Sequence, residues 1–354
     1  MESLLSQSQD NLIHGLDFSI ASNTASYVED RSEQNWFPSG NFFSPNGVRT
    51  IRVSVSGNSF VDLSSLVLVG KLHNGIASPL QVLTCGFHGL IQRFTVYVNG
   101  AKAEDQLEYG RLYEQMTRCM PENVRRNLAT MSGFRAGTAP DSGKGWLPDE
   151  IDGVAVANFV HKPVTSGICN CGKYLPLQFM GQGLILEWEL GPMTSGISTA
   201  DGKSQSWHIS DVRLQASTIN LVSSLSEAYA AHILSGKSLL IPFKTFTTSS
   251  SALPDSNDHE TSISRIFTRL CTLFQTFSVA DTATAKEVNT FYSPVHVTAV
   301  PDNYESFLQI GNKRWSEFQR TGSAQHYYYL LASLGYSNSL VSSVNIDKSA
   351  YDED

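Results

Sequence analysis

Apolar residues recur at every second position through much of this chain. Ile51, Val53 and Val55 alternate with Arg52 and Ser54. Phe94, Val96 and Val98 alternate with Arg93, Thr95 and Tyr97, and Leu184, Leu186, Trp188 and Leu190 alternate with Ile185, Glu187 and Glu189. A period of two sends successive side chains to opposite faces, so each stretch predicts a strand buried on one side. Phe60–Leu63 leads into Leu66–Leu72, which is apolar on both faces. Further strands are expected at Val154–Pro163, Tyr174–Phe179, Trp207–Ile219, Leu239–Phe246 and Ile263–Val279, with a helical start as the alternative for the last.

The spacing turns helical in few places. After Val98, the pair Asn99-Gly100 predicts a tight turn, because both residue types tolerate positive φ. A short polar link follows, then a helix marked by Leu107, Leu112, Tyr113, Met116 and Met120. The same order returns at Ser306–Gly335. Apolar Phe307, Leu308 and Ile310 run into a Gly311-Asn312 turn, a polar link and an aromatic helix from Ser323 to Leu334. Two such copies, far apart in the chain, make a domain-sized repeat. A third helix is expected after the capping box Ser224-x-x-Glu227, running to about Ser235 and stopped by Gly236.

The remaining stretches punctuate the chain. Residues 1–45 lack a period but carry Trp36, Phe37, Phe42 and Phe43, and read as an arm. Residues 121–153, rich in Gly, Pro and Asp, are too long for an ordinary connector and suit an interaction loop. Residues 191–205 are a linker of small polar residues. The expected division is an N-terminal arm (1–45), a first jelly roll (46–200) and a second (201–354). Many short antiparallel strands must avoid open edges, and two sheets wound face to face do so. The fold class is all-β with a few short helices: a double jelly roll, two tandem β-sandwich barrels.

Composition narrows the function. The chain has 354 residues, 41% of them hydrophobic, room for two domains. No apolar run approaches membrane-spanning length, and the N-terminus reads as no secretory signal. Net charge is -8 and no Lys or Arg occurs before Arg31, which argues against direct nucleic-acid binding. Five cysteines, an odd number, argue for folding in a reducing compartment.

Candidate chemistry has a structural reading each time. Ser235-Gly236-Lys237-Ser238 imitates the end of a phosphate loop. The full pattern needs a Gly where Ala231 stands, and a strand before rather than a helix. Cys169-x-Cys171, with His161 upstream, lacks the spacing of a zinc knuckle. His88, His161, His232 and His326 lie in apolar or helical stretches, where structural histidines are commoner than bases. Asp149, Glu150 and Asp152 suit a solvated loop, and Tyr327-Tyr328-Tyr329 suits helix packing. No catalytic, cofactor-binding or metal residue is assigned, and no cofactor or enzymatic activity is expected.

Several segments, in order, carry a resemblance. They are Phe60-Val61-Asp62-Leu63; Gly89-Leu90-Ile91 through Val98-Asn99-Gly100 with the Tyr109/Tyr113 helix; and Tyr174-Leu175-Pro176-Leu177. Then come Asp211-Val212-Arg213-Leu214, Tyr229–Lys237, and Phe307–Lys313 with Tyr328, Leu331, Leu334 and Gly335. Together they resemble the double jelly-roll major capsid proteins of the lineage that includes adenovirus hexon, tailless membrane-containing phages and large eukaryotic DNA viruses, in virophage- and polinton-like forms. The resemblance covers roughly residues 50–350. It implies a homotrimer forming pseudo-hexagonal capsomers, which contact neighbouring capsomers in an icosahedral shell. It also implies minor capsid or penton proteins, or an internal membrane, as further partners. The protein would be made in the host cytoplasm and located in the virion.

The sequence departs from the family after the second repeat. Residues 336–354 hold one candidate strand, Val341–Ile346, before the acidic Asp352-Glu353-Asp354. The second barrel is therefore expected to lack closing strands, and the chain alone to be poorly soluble. Two other classes are weighed. A cupin-like or carbohydrate-binding jelly roll would cluster His and Glu ligands or expose Trp on a sheet face. A single-jelly-roll RNA-virus coat protein would carry a basic arm.

Overall fold

The computed structural model describes residues 28–84, 86–133, 156–199, 201–252, 258–264, 268–277 and 304–338. Most of the regular structure lies in a β-sandwich. Its strands are β1 (Val28–Trp36), β2 (Phe42–Phe43), β3 (Thr50–Val55), β4 (Phe60–Asp62), β5 (Val67–Asn74), β6 (Ile91–Val98) and β7 (Ala101–Leu107). They continue with β8 (Val156–His161), β9 (Tyr174–Pro176), β10 (Leu184–Leu190) and β11 (Trp207–Leu221). Helices α1 (Tyr109–Arg118) and α2 (Glu122–Met131) separate β7 from β8, and α3 (Ser223–Leu234) follows β11.

One sheet runs β8-β5-β11-β4-β9, with β1 and β2 also on β11; the other runs β3-β10-β6-β7. The pairing is antiparallel throughout. The chain passes repeatedly from one sheet to the other, so neighbours in space are distant in sequence, the winding of a jelly roll.

The period-two stretches supply the core. Ile51, Val53, Val55, Phe94, Val96, Leu184, Leu186, Trp188 and Leu190 are fully buried from one sheet. Leu68, Leu72, Ile209 and Leu214 meet them from the other. Burying each such side chain stabilises the fold by about 1.5–3 kcal/mol relative to leaving it in water. The strand at 207–221 slips phase midway: Trp207 and Ile209 point inward, then Val212, Leu214 and Ala216. Its ladder with β5 shifts register between Ser210 and Arg213, where Asp211 takes φ 52°. One extra residue at a bulge restores the inward face.

The structure differs from the sequence expectations in several places. The stretch without a period contains β1, which pairs with β11 from Val28↔Leu221 to Trp36↔Leu214. Its side chains, VEDRSEQNW, are largely exposed, so it is held by its backbone ladder and leaves no hydrophobic period. The long loop at 121–153 opens with α2, for which Pro121 is the N-cap residue. Residues 134–155, including Trp146, Asp149, Glu150 and Asp152, lie outside the described residues. β11, expected to open the second half of the chain, pairs with β1, β2, β4 and β5 in the larger sheet. α3 begins at Ser223, one residue before the expected cap, and no side chain caps it.

Leu239–Phe246 is not a strand. Pro242 falls within it and offers no N–H to a ladder. Residues 268–277 also carry no strand. Residues 1–27 and the candidate strand Val341–Ile346 lie outside the described residues.

The repeat is present and extends further than the sequence shows. Strands β12 (Glu305–Ile310) and β13 (Lys313–Thr321) form a hairpin, and α4 (Gly322–Leu334) follows. The polar links are themselves strands, β7 in the first copy and β13 in the second. Both hairpins turn through two residues, Asn99-Gly100 (φ 48° and 83°) and Gly311-Asn312 (Gly311 φ 59°). Both ladders contain one register shift. In both, a residue with positive φ joins the second strand to the helix: Glu108 (φ 51°) and Gly322 (φ 74°).

Candidate interaction surface and buried polar clusters

The left-handed joint at Glu108 turns α1 back over the end of the sandwich. Its first turn buries Tyr109 and Gly110, and the next places Tyr113, Glu114, Thr117 and Arg118 inward. Glu114 is 2% exposed and accepts from three groups. His88 Nε2 lies 2.8 Å from Oε2, and Arg125 Nη2 and Arg118 Nε lie 2.7 and 3.4 Å from Oε1. Burial pushes the carboxyl up, but the His88 hydrogen bond and the Arg125 and Arg118 charges outweigh it and hold it well below the usual carboxylate range. Arg125 belongs to α2, so the cluster clamps both helices to the loop carrying His88.

Behind this cluster, Tyr109 Oη and His161 Nε2 are 2.9 Å apart. His161 is packed among Phe87, Tyr109 and Tyr113. Burial, with His88 nearby, holds its pKa well below 6.5 and keeps it neutral. These histidines anchor side chains inside the fold.

Glu104 on β7 is the second buried carboxylate. It accepts from Ser166 Oγ (2.6 Å) and from the backbone N–H groups of Gly167 (2.7 Å) and Ile168 (3.1 Å), tying the 163–171 loop to the sheet. Burial raises its pKa, partly offset by these bonds and one from Thr245. The segment after α3 thus runs beside the edge strand β7: Ile241 packs on the core, and the Thr248 hydroxyl donates to the Leu107 carbonyl. Between them lies an open hollow of about 340 Å³, lined by Gln92, Arg93, Leu107, Glu108, Glu189, Thr248 and Ser250. Arg93 is committed within it, with Nε and Nη2 at 2.7 and 2.8 Å from the Asp105 carboxylate.

The other sequence candidates are dispersed. Cys169 is buried and its thiol pushed up to about 12 by burial, which suits neither a nucleophile nor a ligand. Among the described residues no three His, Cys, Asp or Glu side chains converge as metal ligands would. Gly236 (φ 79°) closes α3, and irregular chain follows Ser235–Ser238. Trp188 and Trp207 are in the core, Trp207 Nε1 donating to the Met193 carbonyl at 3.0 Å. His326 fastens α4 to its hairpin, 2.8 Å from Ser306 Oγ and 2.7 Å from the Gly322 carbonyl. His232 lies on the exposed face of α3.

The two copies of the repeat differ most in what covers them. β6 lies in the four-stranded sheet between β10 and β7, with Ile91, Phe94 and Val96 buried. Among the described residues β12 and β13 pair only with each other. Phe307, Ile310, Trp315, Phe318 and Tyr328 are 45–80% exposed. Cations lie over aromatic rings of this unit: Arg314 sits 4.5 Å from the Phe307 ring, Lys313 5.9 Å from Trp315 and Arg320 4.0 Å from Tyr329. Sequence reading puts Phe307 and Ile310 on an apolar strand, Trp315 and Phe318 in a polar link and Tyr328 on an aromatic helix. The signal that marks them as exposed is the interleaving of Lys313, Arg314 and Arg320 with Trp315 and Phe318.

Comparison with solved structures returns viral capsid proteins. PBCV-1 VP54, fitted into a cryo-EM reconstruction of the virophage Sputnik, matches with a TM-score of 0.38 and 11% identity, over 58% of this chain and 46% of that one. The Faustovirus major capsid protein matches with a TM-score of 0.33 and 10% identity, over 61% and 58%. The mavirus major capsid protein matches with a TM-score of 0.30 and 10% identity, over 62% and 54%. The chain therefore spans about half the length of the structures it matches. The matched structures are double jelly-roll major capsid proteins, the class that the sequence motifs resemble. No family model matches the sequence, and no curated protein matches it.

Proposed function

We propose that this chain is a structural shell protein: a double jelly-roll major capsid protein that associates into trimeric, pseudo-hexagonal capsomers of an icosahedral virion. The observation that carries this is the duplicated hairpin–joint–helix unit. One copy is built into a jelly-roll sandwich, and the other presents apolar faces suited to further contacts. The first roll spans the strands from Val28 to Leu221, and the second is built around the second copy. The buried carboxylates hold loops and helices together, so the role is architectural rather than enzymatic. Its partners are copies of itself, neighbouring capsomers, and minor capsid or penton proteins or an internal membrane, after synthesis in the host cytoplasm.

The test is to express the chain and examine it by mass photometry and negative-stain electron microscopy. Trimers and hexagonal arrays are expected. A chain that stays monomeric at every concentration, or binds a sugar or small ligand stoichiometrically, overturns the reading.

A further inference from the structure

Glycine follows asparagine three times in the chain, at Asn46-Gly47, Asn74-Gly75 and Asn99-Gly100. Such a pair carries its own chemistry. The glycine nitrogen lies one five-membered ring closure away from the asparagine side-chain carbonyl carbon, and glycine has no Cβ to obstruct the approach. The attack needs a side chain free to swing back onto the main chain, a glycine N–H that can be given up to solvent, and a backbone free to rotate. The fold meets these needs unequally at the three pairs.

Asn74 is 1% exposed at the end of β5. Its Nδ2 donates to the Ser78 carbonyl at 2.7 Å, its Oδ1 accepts from the Ile76 N–H, and the Gly75 N–H donates to the Ser206 carbonyl at 2.8 Å. Side chain and nucleophile are both committed. Asn99 is exposed, but it sits in the hairpin turn with φ 48°, its N–H donating to the Gly183 carbonyl at 2.9 Å. Its Oδ1 accepts from the Gln182 N–H at 3.1 Å, which holds the side chain toward Gln182.

Asn46 is held by neither device. Ser44-Pro45-Asn46-Gly47 is a β-turn closed by the Gly47 N–H donating to the Ser44 carbonyl at 3.1 Å, with proline second and glycine fourth, the places each prefers. The Ser44 N–H donates in turn to the Val48 carbonyl, also at 3.1 Å. Asn46, Gly47 and Val48 are exposed, and the Asn46 side chain meets no hydrogen-bond partner among the described residues. A Cβ placed on Gly47 would find only Ser44 Oγ, 3.5 Å away, so the space beside the nitrogen is open. The bond on the Gly47 N–H closes one surface turn and belongs to no ladder, so it opens without disturbing a sheet.

We propose that Asn46 is a site of spontaneous deamidation, and that the fold protects Asn74 and Asn99 from the same reaction. The Gly47 nitrogen gives its proton to water and bonds to the Asn46 side-chain carbonyl carbon. The bond from that carbon to the amide nitrogen breaks, and the amide takes a proton from solvent and leaves as ammonia, closing a cyclic imide. One water then opens the imide at either carbonyl, leaving an aspartyl residue or an isoaspartyl linkage that runs through the side chain. Water is consumed, ammonia is released and one negative charge is gained, taking the chain from -8 to -9. The isoaspartyl product also adds a carbon to the main chain between Ser44 and Val48. That turn carries the chain from β2 in the larger sheet to β3 in the other, so its two backbone bonds loosen at the junction of the sheets.

The experiment ages the full chain in buffer at pH 6.5 and 8.5, folded and in urea, and follows each asparagine by tryptic peptide mapping. Trypsin places the three in separate peptides, 32–49, 72–93 and 94–102. In the folded protein Asn46 should convert at least tenfold faster than Asn74 and Asn99, and faster at pH 8.5 than at 6.5. In urea the three rates should converge, since only structure separates them. Gly47→Ala should slow the reaction at position 46 several-fold with the far-UV spectrum unchanged; if that variant misfolds, the folded-against-urea comparison in the wild type still decides. Equal rates at the three sites in the folded protein overturn the proposal, and so does an Asn46 that stays intact while folded and converts only in urea. The isoaspartyl form, separated by ion exchange, should show faster hydrogen exchange at residues 44–49 than the fresh protein. Unchanged exchange there overturns the loosening of the turn.

Discussion

His161 is buried among the rings of Phe87, Tyr109 and Tyr113, and the fold is expected to lose stability in mild acid. Its folded pKa is held well below 6.5, chiefly by burial. Below 6.5 the unfolded chain takes up a proton that the folded chain refuses, so stability falls as pH drops. One such group contributes a slope of up to about 1.4 kcal/mol per pH unit. Urea midpoints measured at pH 7.5 and 5.5 should therefore differ, and His161→Gln should shrink the difference. An unchanged difference would show that His161 titrates normally in the fold. Glu114 acts lower on the scale. Its folded pKa is depressed, so its contribution is complete above 4.5 and is lost as pH falls further. Removing its charge leaves Arg118 and Arg125 facing a neutral group in a buried site. Glu114→Gln should cost about 3–5 kcal/mol in a denaturant titration at pH 7. Neither role is readable from sequence. His88, Glu114 and Arg125 belong to a loop and two helices, and their spacing follows no motif.

The strands that sequence reveals are those buried on one face. Leu184–Leu190 and Ile51–Val55 show their period because water is excluded from one side only. β1 escapes because its ladder is made of backbone groups, which leave no trace in side-chain pattern. Leu239–Phe246 misleads in the opposite sense: its apolar residues suit a strand, but Pro242 denies it a ladder and it lies as a strap beside β7. That strap depends on close approach. A Cβ added at Gly167 would stand 1.6 Å from the Lys244 carbonyl oxygen, so the strap must move if the residue grows. Gly167→Val should leave the far-UV spectrum intact while trypsin cuts after Lys244 several-fold faster. Equal cleavage rates would mean that the strap is held elsewhere.

The chain as a whole divides by how deeply its strands are covered. Amides of β6, β10 and β11, paired on both sides within the sandwich, should exchange slowest. Those of β12 and β13 should exchange fastest among the strands in dilute solution, read by peptide-level mass spectrometry. Exchange at one uniform rate would show that the two units unfold together. The repeat was legible because its turn residues and helix spacing are local. The placement of β11 was not, since a low-charge linker before it resembles a domain boundary. Only its ladder shows that Trp207–Leu221 pairs with β1, β2, β4 and β5. The exposed aromatics of the second unit were hidden for a related reason: Trp315 and Phe318 fall in a stretch that reads as a polar link, so neither their strand nor their exposure shows.

The central position of β11 also sets a timetable for synthesis. His73 and Ser210, bonded across the β5–β11 ladder, lie 137 positions apart. Until β11 leaves the ribosome, β1, β4 and β5 have no common partner. At about 5–20 residues per second, a separation of 137 positions leaves those edges unpaired for roughly 7–27 seconds. During that interval, neighbouring ribosomes on one message hold identical unpaired edges close together. Slow translation through the 191–205 linker would prolong the exposure, and a holdase engaging the nascent chain before residue 207 would raise the yield of folded protein.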